Sequence, residues 1–255
     1  MTGALLAFLG GCMPAAPVAP QPAVPVVHAN DVEWQWLNPA RGDQSPAAGT
    51  LWGDRDGTGA TGFLLRPKDG FASPPHIHNV TYRGVVLQGA LHNDDPDAAD
   101  LWMPTGSFWT QPRGEAHVTA ARGDALLAYI EIDEGPYLVR PVSDAFDDGS
   151  RPVNVHASNV VWVPTAGAEV AYLWGAATGP QGRFVRLGAG QSGHLAGTDL
   201  RVVVVQGTIG VPGAALAVGG YAGPTDGLHV SCTEAPCVVY VRSEGGLTVS
   251  APTRR

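Results

Sequence analysis

A chain of 255 residues is long enough for one large all-β domain or two small ones, each with its own core. Only 15% of residues are charged while glycine (34) and proline (22) are abundant, a balance that favours short strands and many turns over long helices. The net charge of −8 argues against nucleic acid as a partner, which needs a basic face, and no apolar run is long enough to span a bilayer.

In chain order, Ala4–Leu9 is a short apolar segment followed by Gly10, Gly11 and Cys12. Leu9-Gly10-Gly11-Cys12 resembles a bacterial lipoprotein signal, in which Cys12 becomes the lipidated first residue. The Pro/Ala-rich stretch Met13–Val27 reads as an extended, disordered tether, so residues 1–27 are expected to lie outside the fold. The resemblance implies a lipid-anchored protein of the bacterial cell envelope, facing the periplasm or the exterior, that meets the membrane through its anchor only. A plain disordered tail is the alternative reading. The two remaining cysteines, Cys232 and Cys237, could close a disulfide across a hairpin turn in an oxidising compartment, or remain two thiols.

The chain repeats itself. His28-Ala-Asn-Asp-Val-Glu-Trp34 returns as His156-Ala-Ser-Asn-Val-Val-Trp162, and Leu51-Trp52-Gly53 as Leu173-Trp174-Gly175. Arg83-Gly-Val-Val-Leu-Gln-Gly89 returns as Arg201-Val-Val-Val-Val-Gln-Gly207, and the segment ending in His117 matches the one ending in His229. The matches keep their order, which divides the chain into units at about 28–150 and 151–255. Each unit is a series of short apolar or alternating runs separated by turn residues, the pattern of a β-sandwich or barrel.

His76 and His78 are one residue apart where a strand begins, so both imidazoles face one way. Two inward imidazoles are costly to bury unless something satisfies their nitrogens, and a metal ion does so. His117 follows a Pro-Arg-Gly turn and can aim inward as well. His92, in an acidic His-Asn-Asp-Asp-Pro-Asp run, reads as part of a solvated turn.

Gly70-x5-His76-x-His78-x3-Tyr82-x6-Gly89 resembles the first cupin motif, and Gly106-x5-Pro112-x-Gly114-x2-His117-x3-Ala121 resembles the second. The chain thus looks like a bicupin: all-β, two tandem jelly-roll barrels, the second diverged. The wording around His76–Tyr82 resembles a bacterial cupin family labelled only as a domain of unknown function. That family in turn resembles the acetylacetone-cleaving and anti-sigma-factor cupins. The resemblance implies that His76, His78 and His117 bind one divalent metal, Fe2+ or Zn2+.

Where the family carries a glutamate ligand this chain has Tyr82, whose neutral phenol is a poor ligand at pH 7. Tyr82 is expected to touch the ligands or the substrate, or else to be a core aromatic with its hydroxyl bonded. Glu115 shares strand parity with His117 and is a candidate base or orienting group, against the plainer reading of a solvated loop carboxylate. Three neutral imidazoles leave the metal charge uncompensated, which favours an anionic chelating small molecule or a metal-bound hydroxide. The second unit keeps only His194 and His229, and is expected to be structural or a surface for a homodimer. Three functions stay open: an Fe(II) dioxygenase, a binding or sensing module without turnover, and a zinc-dependent hydrolase.

Overall fold

The computed structural model describes residues 23–233 and 236–251. Cys12 lies outside them. Among the described residues the regular secondary structure is strand apart from short 3-10 turns at Pro39–Gln44, Val142–Asp144 and Ala157–Asn159. One antiparallel sheet has eight strands and contains Ala47–Trp52, Thr61–Arg66, Tyr82–Asp94, Phe108–Gln111 and Val118–Ile132. Beside it lies the pair His76–His78 and Val139–Pro141. The other sheet has ten strands and repeats the scheme with Ala168–Gly175, Gln181–Leu187, Ser192–Gln206, Tyr221–Cys232 and Cys237–Ser243. These are two jelly-roll barrels in tandem. Cys232 and Cys237 are joined in a disulfide.

The apolar runs of the sequence are continuous because the central strands are buried on both faces. In Ser192–Gln206, Val202 and Val204 fill the second barrel, while Val203 and Val205 face the seam between barrels. In Tyr82–Asp94, Val86 points into the first barrel and Val85 and Leu87 into the seam. The molecule therefore has three cores: two barrel interiors and the layer that joins them.

The ends of the repeat units are exchanged. Val26–Val27 pairs with Ala222 and Tyr221 of the second barrel, and Val153–Val155 pairs with Thr110, Trp109 and Phe108 of the first. Asn154 fixes the latter strand, its Nδ2 donating to the Asn93 carbonyl (3.0 Å) and to Asp94 Oδ2 (2.9 Å). The tether expected through Val27 thus becomes a strand at Val26. Two β-branched residues meet an open sheet edge there, where Gly223 N–H also donates to the Pro25 carbonyl at 2.9 Å.

At the seam the repeat becomes a polar cluster. Trp52 Nε1 donates to the Tyr129 hydroxyl (3.0 Å), which donates to Glu131 Oε2 (3.1 Å). The equivalent Trp174 and Tyr240 meet the same carboxylate, at 2.8 Å from indole to hydroxyl and 2.7 Å from hydroxyl to Oε1. Glycines 62 and 182 permit this, since a Cβ at either would run into the indole nitrogen of Trp52 or Trp174. Arg83 lies over the Trp174 ring and Arg201 over the Trp52 ring, each reaching across to the other half. The repeat places Arg242 where the first half has Glu131. Arg242 donates to Glu131 (3.4 Å), Asp133 (2.8 Å) and Glu244 (2.7 Å). Burial works against its charge, but the three carboxylates outweigh it and raise the pKa.

Candidate metal centre

His76 and His78 flank Ile77 on a short strand, and Ile77 is turned to the opposite, apolar side. His117 joins them through a single bridge. Its N–H donates to the His76 carbonyl and receives the reciprocal bond, 3.0 Å each way. Residues that exchange both bonds in an antiparallel pair project their side chains from one face. One ligand-capable nitrogen from each of the three histidines lies within 4.8 Å of the other two. His76 is 9% exposed, His78 3% and His117 0%.

Burial sets their protonation. It lowers the pKa of His76, and with the neighbouring imidazoles holds His78 well below its ordinary value. Burial, then His76, bring His117 to about 3. All three are neutral at pH 7, the form that binds metal.

Hydrogen bonds select the tautomers. Nδ1 of His76 donates to the Pro74 carbonyl (2.9 Å), and Nδ1 of His117 donates to the Glu115 carbonyl (3.1 Å). A carbonyl only accepts, so in both rings Nε2 carries the lone pair. Around His117 the remaining polar groups form an ordered chain. Gln111 Nε2 donates to the Glu115 carbonyl, Asn93 Nδ2 donates to Gln111 Oε1, and Asn93 Oδ1 receives Tyr82 and Thr119, both at 2.8 Å. Tyr82 has thereby committed its proton to Asn93, and it meets His117 Nε2 at 3.3 Å oxygen to nitrogen. That nitrogen has a lone pair and no donor. A buried nitrogen in this state, among three imidazoles that converge, is what a divalent cation satisfies, so the residues fit a metal.

The cavity beside them has a volume of about 320 Å³ and takes small molecules only. Tyr82 lines it and also belongs to the core of the first barrel, with burial holding its hydroxyl protonated. Tyr137 lines it too, stacked on His78 with its hydroxyl 3.1 Å from Nε2. No motif spacing singles out Tyr137. Asn93 was hidden for a different reason. It lies an odd number of residues after Tyr82, on the opposite face of a regular strand, but the strand bulges near Gly89 and its faces exchange.

Glu115 takes the plainer of its two readings, and the expectation for His92 is corrected. Glu115 does not enter the cavity: its side chain lines a separate surface hollow with Asp147 and Arg151, and only its carbonyl serves the site. The strand begins at Val118, so alternation does not reach back through the turn to Glu115. His92 is no solvated turn residue but is 4% exposed in a strand, its Nδ1 bonded to the Leu101 carbonyl.

In the second barrel His194 and His229 pair directly across two strands, with ring centroids 4.6 Å apart. Their neighbours Leu195, Leu228 and Val230 fill the interior, so the histidines lie on the other face. Gly219 to His229 spans one residue fewer than Gly106 to His117, and a shift of one residue exchanges the faces of a strand.

The architecture is similar to solved structures at low identity. A protein of Nostoc punctiforme named as a putative dioxygenase matches with a TM-score of 0.68 and 14% identity, over 91% of this chain and 87% of that one. Oxalate decarboxylase of Lactobacillus farciminis matches with a TM-score of 0.61 and 12% identity, over 92% and 91%. A Bacillus subtilis oxalate decarboxylase variant matches with a TM-score of 0.60 and 11% identity, over 92% and 81%. These likenesses establish the cupin fold. A comparison with curated proteins found no match. A family model matches residues 25–250, nearly all of the described chain, and the protein belongs to that family, the domain of unknown function DUF4437.

Proposed function

We propose that the protein is an exported metal-dependent cupin that acts on a small anionic chelating molecule, as an Fe(II) dioxygenase. The observation that carries this reading is the donor set: three neutral imidazoles with no carboxylate among them, two of which line a small cavity. A divalent ion held by His76, His78 and His117 would keep its full charge and would supply an electrophilic centre for a chelating anion and dioxygen. The chain's own residues orient the imidazoles through Pro74, Glu115 and Asn93, exclude water by burial, and present phenol hydroxyls from Tyr82 and Tyr137.

Binding without turnover is the second reading, favoured because among the described residues no Asp or Glu lines the cavity to serve as a general base. Zinc-dependent hydrolysis would need the metal-bound water itself to supply that base. Export rests on the lipoprotein-like segment at Cys12 and is supported by the disulfide. The test is elemental analysis of the purified chain beside His76→Ala, then reconstitution with Fe(II) under argon and exposure to air with a panel of β-diketones. Oxygen uptake that depends on His76 is expected. Stoichiometric zinc with unchanged ligand recovered from the protein would establish the binding module instead.

A further inference from the structure

The cavity that His76 and His78 line also has a cation on its wall. Among the described residues that line it, Arg41 alone carries a fixed charge, and it is exposed. Arg41 sits in the turn Pro39–Gln44, which is closed on itself. The Asn38 side chain accepts from Ala40 N–H (3.1 Å), Asn38 N–H donates to Ser45 Oγ (2.9 Å), and Ser45 N–H donates to the Gly42 carbonyl (3.0 Å). A left-handed residue, Gly42 (φ 49°), makes the bend. The nearby carboxylate of Asp43 is taken up by Lys68. The Arg41 guanidinium makes no hydrogen bond or ion pair within the described residues, although most of the chain's other arginines are paired or stacked on rings.

Leu37, Leu65, Phe71 and Ile130 give this cavity apolar walls, beside polar groups from Asn38, Ser45, Ser73 and Thr119. Trp109 also lines it and is 1% exposed, its indole N–H directed to the Tyr82 hydroxyl. A free guanidinium and apolar walls in the cavity that two of the histidines line are complementary to one kind of molecule.

We infer that the ligand is doubly anionic: a chelating head for the metal, an apolar body, and an acidic tail, carboxylate or phosphate, that pairs with Arg41. This rests on the metal reading of the three histidines and adds the substrate class. Arg41 is on this account a specificity residue that touches the tail and not the reacting head.

The probes are aliphatic hydroxamates of matched length ending in methyl, carboxylate or phosphonate, titrated calorimetrically into the full chain carrying Cys12→Ser and loaded with Zn(II). An acidic tail is expected to bind about tenfold tighter than methyl, with the better of the two acids naming the tail. Arg41→Ala should abolish that preference without weakening the methyl probe, and Arg41→Lys should restore part of it. Equal affinity for all three tails, or equal weakening of all three by Arg41→Ala, overturns the inference while leaving the metal site standing. If the chain retains no zinc and binds none of the probes, the metal reading falls first and the inference with it. The turn is exposed, and an unchanged melting temperature for Arg41→Ala shows that the variant folds.

Discussion

The hydroxyl of Tyr82 and Nε2 of His117 lie 3.3 Å apart with no proton to share between them. Tyr82 donates to Asn93, and the neutral His117 ring keeps its proton on Nδ1 for the Glu115 carbonyl. The two groups face each other with lone pairs, so the contact does not satisfy the imidazole and leaves it available as a ligand.

Tyr82→Phe should therefore retain metal at full stoichiometry. It should cost about 1 kcal/mol of stability for the lost bond to Asn93. His117→Ala should lose the metal. Elemental analysis together with thermal denaturation separates the two, and loss of metal in Tyr82→Phe would make the phenol a ligand after all.

Acid should destabilise the metal-free protein in a defined window. The ordinary histidine value is 6.5, and burial and His76 bring His117 to about 3, with His78 depressed as well. The unfolded chain takes up these protons first. The stability contributed by the neutral rings is thus complete above 6.5 and is lost as pH falls toward 3. The slope is about 1.4 kcal/mol per pH unit for each histidine concerned. Urea midpoints of chelator-treated protein at pH 7, 6 and 5 should decline, and His117→Gln should flatten the decline.

Glu131 and Arg242 occupy equivalent places in the two halves and are 1% and 3% exposed. Glu131→Ala removes the acceptor of two tyrosines as well as a partner of Arg242, and should cost roughly 3–5 kcal/mol. Exchanging the pair, Glu131→Arg with Arg242→Glu, should recover part of what either single change loses. Chemical denaturation of the single and double variants measures that coupling.

Asn154→Ala should loosen the exchanged strand. It deletes the bonds to the Asn93 carbonyl and Asp94, at about 1–2 kcal/mol. Amide hydrogen exchange should then rise selectively at Val153–Val155 and Phe108–Gln111, with the second barrel unchanged.

The parts of the site that were legible in the sequence are those fixed by short-range spacing. His76 and His78 needed only the two-residue period of a strand, and the second motif supplied His117. Tyr82 followed from the same parity. Tyr137, Asn93 and Arg41 were not legible, because each is delivered by tertiary geometry: a separate turn, a strand whose faces exchange near Gly89, and the turn Pro39–Gln44. Glu115 shows the same limit from the other side, since parity was applied one turn beyond where the strand begins. For the fold, the repeat exposed two equivalent units, but the exchange of Val26–Val27 and Val153–Val155 has no sequence signature. Edge pairing depends on which partner is near, and apart from Asn154 the residues themselves are simply β-branched.

That exchange bears on what happens when the chain is cut. The connection before Val153 is exposed and polar, with Asp147, Asp148 and Gly149 at the surface, as proteases require. A nick there would separate the halves on paper only. The C-terminal fragment would still own a strand in the first barrel, the N-terminal fragment a strand in the second, and the seam would hold both. The nicked protein should co-migrate as one particle under native conditions and fall into two pieces only in denaturant. Neither fragment produced alone has the strands to complete its barrel.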